Sequence, residues 1–349
     1  MRIRAFLQEQ LEDGNVRCLT CQRHCVIIPQ KYGHCKTRFN DQGTLYTTTY
    51  GLVTSLSNNP IEKKPLFHYY PGSVATTIGS KSCNFDCPWC QNWTLSKASS
   101  EELPASSEFM SPRQIVDFAK RSQVQGLSVS FNEPTLSLEY ALELFELAAP
   151  EHLYCMFVTN GYMTAEALRL LVKAGLTGAA VTLKGPADMV KKYCHADVEG
   201  VWDTLTLAKS LGVHVEVISL LIPNTNDHRD YLNNLVAQVL TDLGPDTPIH
   251  FTRYFPAYKF TIPATPVKTL EFARDLALEI GLRYSYIGNV PGHPYENTYC
   301  PACKRLLIRR YATSLLAFDV NQQNTCPDCG EQIPLFHSEK DPVVVFSLE

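Results

Sequence analysis

The chain reads Lys81-Ser-Cys-Asn-Phe-Asp-Cys-Pro-Trp-Cys-Gln-Asn-Trp93, which sets Cys83, Cys87 and Cys90 at a Cys-x3-Cys-x2-Cys spacing. This spacing could also place buried cysteines along one face of a helix. Pro88 opposes that interpretation, because a proline inside a helix costs about 3 kcal/mol. A helix would also hold Cys83 and Cys90 about 10 Å apart along its axis, too far for one compact cluster. A loop lets three thiolates converge on an iron–sulfur cluster and leaves one iron open to a small molecule.

Length and charge limit the classes of function. The chain has 349 residues, 45% of them hydrophobic, so it can bury one large core and smaller modules. Its formal charge is −4, which disfavours nucleic-acid or membrane partners because their binding needs a basic surface. Residues 1–12 predict a short amphipathic helix rather than a signal peptide. No apolar run could span a bilayer, and we expect a cytoplasmic protein.

The cysteines fall almost entirely into three sets, and there are 13 of them in total. An odd number without an export signal argues against a disulfide framework and for metal ligation in a reducing compartment. Cys155 and Cys194 lie outside the sets, and we interpret them as packing residues. The central set therefore has three ligands and no expected fourth cysteine nearby.

From about residue 73 to residue 289, short β-rich segments alternate with amphipathic helical segments. Strands separated by helices predict parallel βαβ units. The first helix has a clear start, with Ser111 as N-cap, Pro112 at the first position and Gln114 completing a capping box. We predict strands at 75–79, 127–131, 154–159, 179–183, 213–222 and 249–254. We predict helices at 112–122, 137–149, 165–174, 203–211, 231–243 and 266–280.

Six such units are too few for a closed eight-fold barrel, so the predicted fold is an α/β partial (β/α)6 barrel. A doubly wound sheet is the alternative that the sequence leaves open. Both folds place their site at the carboxyl ends of the strands. Polar turns follow successive predicted strands at these ends. This pattern predicts a single pocket lined by the side chains of the turns. We divide the chain into an N-terminal metal module with its lead-in (1–72), the barrel (73–292), and a zinc-ribbon-like module with a tail (293–349).

The C-terminal set comprises two Cys-x2-Cys knuckles, Cys300 with Cys303 and Cys326 with Cys329. Paired knuckles at this spacing predict a tetrahedral structural zinc site, with a small hairpin between them. The ribbon has too few apolar residues to fold alone, so the metal would supply its folding free energy. A rubredoxin-like iron site is the alternative.

The N-terminal set has the less familiar spacing Cys18-x2-Cys21-x3-Cys25-x9-Cys35. Four thiolates predict a second metal site, for which we favour zinc over an auxiliary iron–sulfur cluster. His24 and His34 each neighbour a cysteine, but with four thiolates available we expect them outside the ligand set.

The central triplet, with Trp89 before its last cysteine, resembles the Cys-x3-Cys-x-aromatic-Cys signature of radical S-adenosylmethionine (radical SAM) enzymes. The resemblance implies a 4Fe–4S cluster whose open iron chelates S-adenosylmethionine. A low-potential electron donor would reduce the cluster, and cleavage would give methionine and a deoxyadenosyl radical that abstracts hydrogen from a substrate. The protein would supply ligation, orientation and exclusion of side reactions.

Five residues are candidates for contacting the cofactor besides Trp89. Glu133 can hold the methionine ammonium through a charge-assisted hydrogen bond. It follows Asn132 in a turn that resembles the family's Gly-Gly-Glu-Pro turn, although Phe131 and Asn132 replace the glycines. Family patterns also imply Asn160 in a Thr-Asn-Gly turn, Lys184 near the cofactor carboxylate, and Glu216 on the fifth strand.

Nearly the whole chain resembles the radical SAM member of the AmmeMemoRadiSam system, which is related to pyruvate formate-lyase activating enzymes. The resemblance rests on the cysteine stretch and on five further segments: Asn59-Pro-Ile-Glu-Lys-Lys-Pro-Leu-Phe-His68, Ser130-Phe-Asn-Glu-Pro-Thr135, His250-Phe-Thr-Arg-Tyr-Phe-Pro256, Gly288-Asn-Val-Pro-Gly292 and Asn297-Thr-Tyr-Cys-Pro301. It implies association with Memo-like and AMMECR-type proteins, or with a protein substrate that receives a glycyl radical. His68, His250 and Arg253 are candidates for the substrate side of the pocket.

Two other classes of function remain open at this point. A non-catalytic, metal-dependent interaction protein would need four ligands at each site, whereas the central set offers three. A zinc-ribbon nucleic-acid binder would need a basic face, which the charge balance disfavours.

Overall fold

The computed structural model describes residues 2–97 and 108–336. The tail beyond residue 336 and Met1, which the predicted modules include, lie outside the described residues. The strands are β1 (Ile3–Arg4), β2 (Gln8–Gln10), β3 (Val16–Cys18), β4 (Val26–Ile27), β5 (Arg38–Asp41), β6 (Thr44–Thr47), β7 (Leu52–Val53), β8 (Ser55–Pro60), β9 (Val74–Gly79), β10 (Glu108–Phe109), β11 (Gly126–Val129), β12 (Tyr154–Thr159), β13 (Leu176–Leu183), β14 (His214–Leu221), β15 (Ile249–Arg253), β16 (Ser285–Gly288), β17 (Thr298–Tyr299), β18 (Leu306–Tyr311) and β19 (Ser314–Phe318).

The α-helices are α1 (Trp93–Ser96), α2 (Pro112–Arg121), α3 (Leu138–Ala148), α4 (Ala165–Ala174), α5 (Ala187–Met189), α6 (Glu199–Ser210), α7 (Arg229–Leu243) and α8 (Val267–Ile280). Short 3-10 turns occur at Glu12–Gly14, Ile61–Lys63, Pro134–Ser137, Ala149–Glu151 and Pro294–Glu296, and a π-helical turn at Val190–Cys194.

The central sheet has the strand order β16-β15-β14-β13-β12-β11-β9-β8. All neighbours from β9 to β16 are parallel, and β8 pairs antiparallel with β9. Each parallel strand lies beside the preceding strand of the sheet, without the reversal of order that defines a doubly wound sheet. Right-handed crossovers that advance in one direction put their helices on one face and curl the sheet toward a barrel. The predicted partial barrel is therefore confirmed, and the doubly wound alternative is excluded.

The six predicted strands and six predicted helices of the barrel are present. The predicted bounds match for β12 and α4, and the N-cap Ser111 forms the predicted capping box with Gln114. Two strands of the sheet were missed: β16 extends the parallel run after α8, and β8 comes from the lead-in before the barrel.

The prediction of an amphipathic helix in residues 1–12 is wrong. This segment contains β1, which pairs with β6, and β2, which pairs with β3. Ala5 and Leu7 are buried while Phe6 is 59% exposed. Ala5 and Leu7 lie in the bend between β1 and β2, and burying these two side chains against the module outweighs the modest helix propensity of the segment.

The amino-terminal end of the barrel is closed from inside by residues 61–70, which we call the plug segment. Its buried side chains Ile61, Leu66 and Tyr69 pack on inward-facing residues of the barrel strands. The helices bury the opposite face of the same strands in the main core. With one end filled, the carboxyl ends of the strands are left for a cavity.

The two terminal modules lie on the barrel. The N-terminal module has the small sheets β1-β6-β5 and β2-β3-β4, and the C-terminal ribbon has β17-β18-β19. Arg310 on β18 is buried and donates hydrogen bonds to the Phe67 carbonyl (2.8 Å) and to Thr298 Oγ1 (2.8 Å), so the ribbon is joined to the plug segment. Of the helices in the described parts of the chain, none combines the length and apolar character needed to cross a membrane.

Candidate active site

A cavity of about 220 Å³ lies at the carboxyl ends of the barrel strands. The loop after β9, residues 80–92, forms one side and is called the cysteine loop here. The turns after β11, β12 and β13 form the rest. Because parallel strands end at the same edge of a sheet, these turns converge as expected. The predicted site residues that line the cavity are Cys83, Cys87, Trp89, Cys90, Asn132, Glu133, Asn160 and Lys184.

Hydrogen-bond donors surround the sulfur of Cys83. The backbone N–H of Phe85 donates to its Sγ at 3.3 Å, and Asn160 Nδ2 lies 3.8 Å from the same sulfur. Burial raises the pKa of the Cys83 thiol well above its usual range, with Glu133 adding to the effect. A thiolate here therefore needs a positive charge close by, which a bound metal would provide. The donors and the cavity fit an anionic iron–sulfur cluster.

Asn132 fixes the cysteine loop to the end of β11. Its Oδ1 accepts from the Ser80 backbone N–H (3.0 Å), and its Nδ2 donates to the carbonyls of Lys81 (3.0 Å) and Ser82 (3.1 Å). The amide is thus used in positioning the loop. Phe131 and Ser82 have φ angles of 72° and 73°, in the left-handed region that glycine adopts without strain.

Glu133 is buried and joins the turns after β11 and β12. Its Oε1 accepts from the Thr135 hydroxyl (2.6 Å), the Thr135 backbone N–H (3.1 Å) and the Thr159 hydroxyl (2.7 Å). Its Oε2 accepts from the Asn160 backbone N–H at 2.9 Å. Burial raises the pKa of the carboxyl, while these hydrogen bonds oppose the rise. Oε2 keeps one acceptor position, and that position suits an ammonium group in the cavity.

Asp86 is an organising residue of the cysteine loop that sequence reasoning missed. Its carboxylate contacts His34 Nε2 (3.1 Å), His195 Nδ1 (3.1 Å) and Lys97 Nζ (3.2 Å). The hydrogen bond from His34, together with those from His195 and Lys97, holds the pKa of Asp86 far below its usual range even though burial opposes this. An aspartate between two cysteines was visible in the sequence, but two of its partners, His34 and His195, come from distant segments.

The position of Cys194 contradicts the expectation that no fourth cysteine lies near the central set. Its sulfur lies 3.3 Å from Cys87 Sγ, so a fourth cysteine is nearby after all. Cys194 is fully buried and does not line the cavity, whereas the three predicted ligands do. It stands behind Cys87, where its S–H can donate to the Cys87 sulfur. No sequence spacing indicated this contact, because Cys194 follows β13, three strands away from β9.

Glu216 does not line the cavity, contrary to its predicted place in the cofactor site. It faces the barrel interior, where its two oxygens accept from the Phe67 N–H (2.9 Å), the His68 N–H (2.7 Å), His214 Nε2 (3.0 Å) and His250 Nε2 (2.6 Å). Burial works against ionisation, but the hydrogen bonds from the two histidines hold the pKa of Glu216 well below its usual range. All four acceptor positions are occupied, so Glu216 fastens the plug segment to β14.

The three tentative substrate residues also lie away from the cavity lining. His68 is fully buried, with Nε2 2.6 Å from the Tyr286 hydroxyl, and His250 is held by Glu216. Burial lowers the pKa of His68 to about 3. Arg253, at the end of β15, donates to the Thr265 carbonyl at 2.8 Å. These residues organise the barrel interior and its rim.

A buried lysine near the cavity was also missed. Lys64 is 3% exposed, and its ammonium lies 4.9 Å from the ring centre of Phe131, a lining residue. Burial, with a smaller contribution from Lys63, lowers the pKa of Lys64 to about 7. The plug segment therefore brings a titratable amine close to the cavity.

The C-terminal cysteines form a compact set. The sulfurs of Cys300, Cys303, Cys326 and Cys329 all lie within 4.8 Å of one another, as a tetrahedral metal site requires. The predicted hairpin between the knuckles is confirmed as β18 and β19. The N-terminal cysteines, Cys18, Cys21, Cys25 and Cys35, line a second, small cavity in the N-terminal module.

Comparisons with known proteins agree with this geometry. The family model described as the Radical SAM superfamily matches residues 77–235. An uncharacterized protein of Methanocaldococcus jannaschii is 44% identical over 334 residues, which cover 95% of this chain and 98% of that protein.

Solved structures resemble the chain at low identity. SuiB of Streptococcus suis bound to S-adenosylmethionine is 12% identical, with a TM-score of 0.50 over 69% of this chain and 56% of that longer chain. A domain of a pyruvate-formate lyase-activating enzyme from Bacteroides vulgatus is 14% identical, with a TM-score of 0.41 over 47% of this chain and 99% of that domain. At 12% identity the SuiB match shows the shared fold. With the family match over the cysteine loop and the strands that frame the cavity, the chain contains a radical SAM domain in residues 77–235, which indicates an enzyme.

Proposed function

We propose that Cys83, Cys87 and Cys90 hold a 4Fe–4S cluster with which this enzyme cleaves S-adenosylmethionine reductively and abstracts hydrogen from a substrate. The observation that carries the proposal is that these three thiols, and no other cysteine in the described ranges, line the cavity at the strand ends. When bound, the cluster supplies the electron for cleavage to methionine and a deoxyadenosyl radical.

The surrounding residues have separate tasks in this proposal. The free acceptor position on Glu133 Oε2 would bind the ammonium of the methionine moiety, and Lys184, on the cavity wall, would meet its carboxylate. Asn160 would donate to the Cys83 sulfur and Trp89 would close one wall. Asn132 and Asp86 would act as positioning residues, because their polar groups are engaged within the protein.

The test is cleavage in an anaerobically reconstituted protein reduced with dithionite. We expect deoxyadenosine and methionine from the wild type. The variant Cys87→Ala should lose the absorption of this cluster, and its production of deoxyadenosine should fall below detection, because a site with two thiolates no longer holds the cluster. Cys155→Ala is the matched control: Cys155 is buried on β12 outside all three sets and should leave cleavage unchanged. A different cleavage fragment from the wild type would reject this chemistry.

The same reconstituted protein can be used to test which glutamate, Glu133 or Glu216, binds the ammonium group of S-adenosylmethionine. Glu133→Gln should raise the apparent Kd for S-adenosylmethionine about tenfold or more, because it removes the anionic partner of the ammonium. Glu216→Gln should leave that Kd unchanged in folded protein. Equal effects of both substitutions would contradict the assignment.

The proposal also covers the partner proteins, the electron donor and the substrate of the enzyme. The sequence segments described above support membership of the AmmeMemoRadiSam system, with Memo-like and AMMECR-type proteins as partners and a low-potential protein as electron donor. A protein that receives a glycyl radical is the proposed substrate class. Incubating the reduced enzyme with candidate proteins should give a glycyl-radical signal in electron paramagnetic resonance, and turnover with small molecules alone would contradict it.

For the C-terminal ribbon, we propose zinc. Compact sulfur spacing and two knuckles support it. Metal analysis that finds iron bound to the ribbon would contradict this part of the proposal.

A further inference from the structure

The N-terminal cysteines belong to a module that the proposed reaction does not use. Cys18, Cys21 and Cys35 are buried and Cys25 is half-buried, and all four are free thiols that line one cavity. Four convergent thiols that form no disulfide indicate a metal centre. Which metal they hold is decided by their spacing and surroundings.

The C-terminal ribbon provides an internal reference for sulfur spacing. Zinc–sulfur bonds of about 2.3 Å in a tetrahedron put the sulfurs about 4 Å apart, and the ribbon cysteines match that spacing. Within residues 2–97 and 108–336, no other group of three or more Cys, His, Asp or Glu side chains has ligand atoms within 4.8 Å of one another. No three sulfurs of the N-terminal set lie that close together, and the same holds for the central set. A 4Fe–4S cluster binds each thiolate to a different iron, so its sulfurs stand farther apart than around one zinc ion.

Two polar groups on the wall of this cavity have no hydrogen-bond partner. Thr20 Oγ1 and Arg38 Nε are both unpartnered, and both residues are 1% exposed and line the cavity with the cysteines. Arg38 donates from NH1 to Glu139 (2.7 Å) and from NH2 to the Leu136 carbonyl (3.3 Å), which leaves Nε without a partner. Buried donors seldom remain without acceptors. The thiolates and sulfides of an anionic cluster would accept from both groups.

We propose that Cys18, Cys21, Cys25 and Cys35 bind a second 4Fe–4S cluster rather than the zinc that we favoured from the sequence. All four irons have a cysteine ligand, so this cluster has no open position for S-adenosylmethionine. It lies beside the cysteine loop: Ser82 Oγ donates to the Cys35 carbonyl, and Arg23 Nε donates to the Asn84 carbonyl at 2.6 Å. The cluster thus braces the loop that carries the catalytic triplet. This inference is independent of the proposed reaction.

The test is metal and sulfide analysis of the full chain, purified and reconstituted anaerobically with iron and sulfide. The wild type should contain about eight irons and about eight sulfides per chain. The triple variant Cys83→Ala, Cys87→Ala, Cys90→Ala should retain about four of each, with the Mössbauer spectrum of a 4Fe–4S cluster. Adding Cys18→Ala and Cys21→Ala should remove the remaining sulfide, while ribbon zinc and circular dichroism report whether the variant is folded.

Three results would overturn the proposal. Two zinc ions per chain with sulfide confined to the central triplet would assign zinc to the N-terminal set. A folded triple variant without sulfide would show that the set holds no cluster. Residual iron that disappears on Cys300→Ala but not on Cys18→Ala would place the iron in the ribbon. The wild-type iron and zinc counts decide the question even if a variant fails to fold.

Discussion

At the residue scale, the features that complete the site are contacts between distant positions. Asp86, Cys194 and Lys64 were not singled out by any motif, yet each touches the cysteine loop or the cavity wall. Their roles follow from burial and partners, because side chains are brought together across strands that are far apart in sequence. The residue-scale predictions therefore concern Cys194 and Lys64.

Cys194 is expected to tune the central cluster without binding iron. Cys194→Ala removes an S–H donor 3.3 Å from Cys87 Sγ, so more negative charge stays on that sulfur. The reduction potential should fall, on the order of tens of millivolts, because hydrogen bonds to cluster sulfurs favour the reduced state. A redox titration with iron analysis measures this. Cys155→Ala should leave the potential unchanged, and loss of iron from Cys194→Ala would instead make Cys194 a ligand.

Lys64 is expected to make stability depend on pH. Its pKa of about 7 in the folded protein lies below the ordinary value of 10.5, so between these values the unfolded chain binds more protons. The free energy of unfolding should therefore rise with pH across that window. Below about pH 7 the buried amine is charged, and the full cost of burying that charge applies.

Lys64→Met should remove this pH dependence. It should also raise the free energy of unfolding at pH 7 by about 1–3 kcal/mol, because it removes the cost of burying a charge. Denaturant unfolding at several pH values measures the difference from the wild type. Lys63→Met is the matched control, because Lys63 is exposed and next in sequence. A stability difference that does not vary with pH would contradict this assignment.

At the element scale, the barrel depends on how its plug segment is fastened. Glu216 on β14 accepts two backbone N–H groups of the plug segment and two histidine side chains. Periodicity placed the strand correctly, but it gave no information about a loop from far upstream that fills the barrel. The glutamate that resembled a cofactor residue is thus a link between two elements.

Glu216→Gln is expected to destabilise the barrel. The amide has one acceptor oxygen for four donors, so buried N–H groups lose their partner, at a cost of about 3–5 kcal/mol. Thermal unfolding should occur at lower temperature, while cofactor Kd in folded protein stays as in the wild type. Glu279→Gln on the exposed side of α8 should change neither. An unchanged unfolding temperature for Glu216→Gln would refute the fastening role.

At the scale of the whole molecule, the ribbon and the barrel are coupled. Buried Arg310 reaches from β18 to the Phe67 carbonyl in the plug segment, and its charge lies 3.9 Å from Glu62. The ribbon's own apolar core is small, comprising Leu307, Ile308, Leu315 and Ile333 besides two cysteines. We therefore expect the ribbon to need a bound metal in order to fold, and its unfolding to destabilise the barrel through the loss of the Arg310 contacts.

Removing the ribbon metal is expected to lower the stability of the whole chain. Cys329→Ser should lose one zinc ion per chain, by the proposed assignment, and lower the temperature of unfolding. The iron of the central triplet should remain, because the ribbon lies away from the strand-end cavity. Zinc and iron analysis with calorimetry measures both effects, and Cys155→Ser is the control. Loss of central iron in Cys329→Ser would contradict the separation of the two sites.

The sequence by itself determined six strands of the barrel, the helices between them, the central cysteine triplet and the ribbon knuckles. These features are local: each depends on periodicity, capping or ligand spacing within a few dozen residues. Only the tertiary structure decided the strand order, the burial of Glu216, the approach of Cys194 to Cys87 and the convergence of the N-terminal cysteines on one cavity. Each of these depends on contacts between segments that are distant in sequence, and such contacts are determined by the packing of the whole chain.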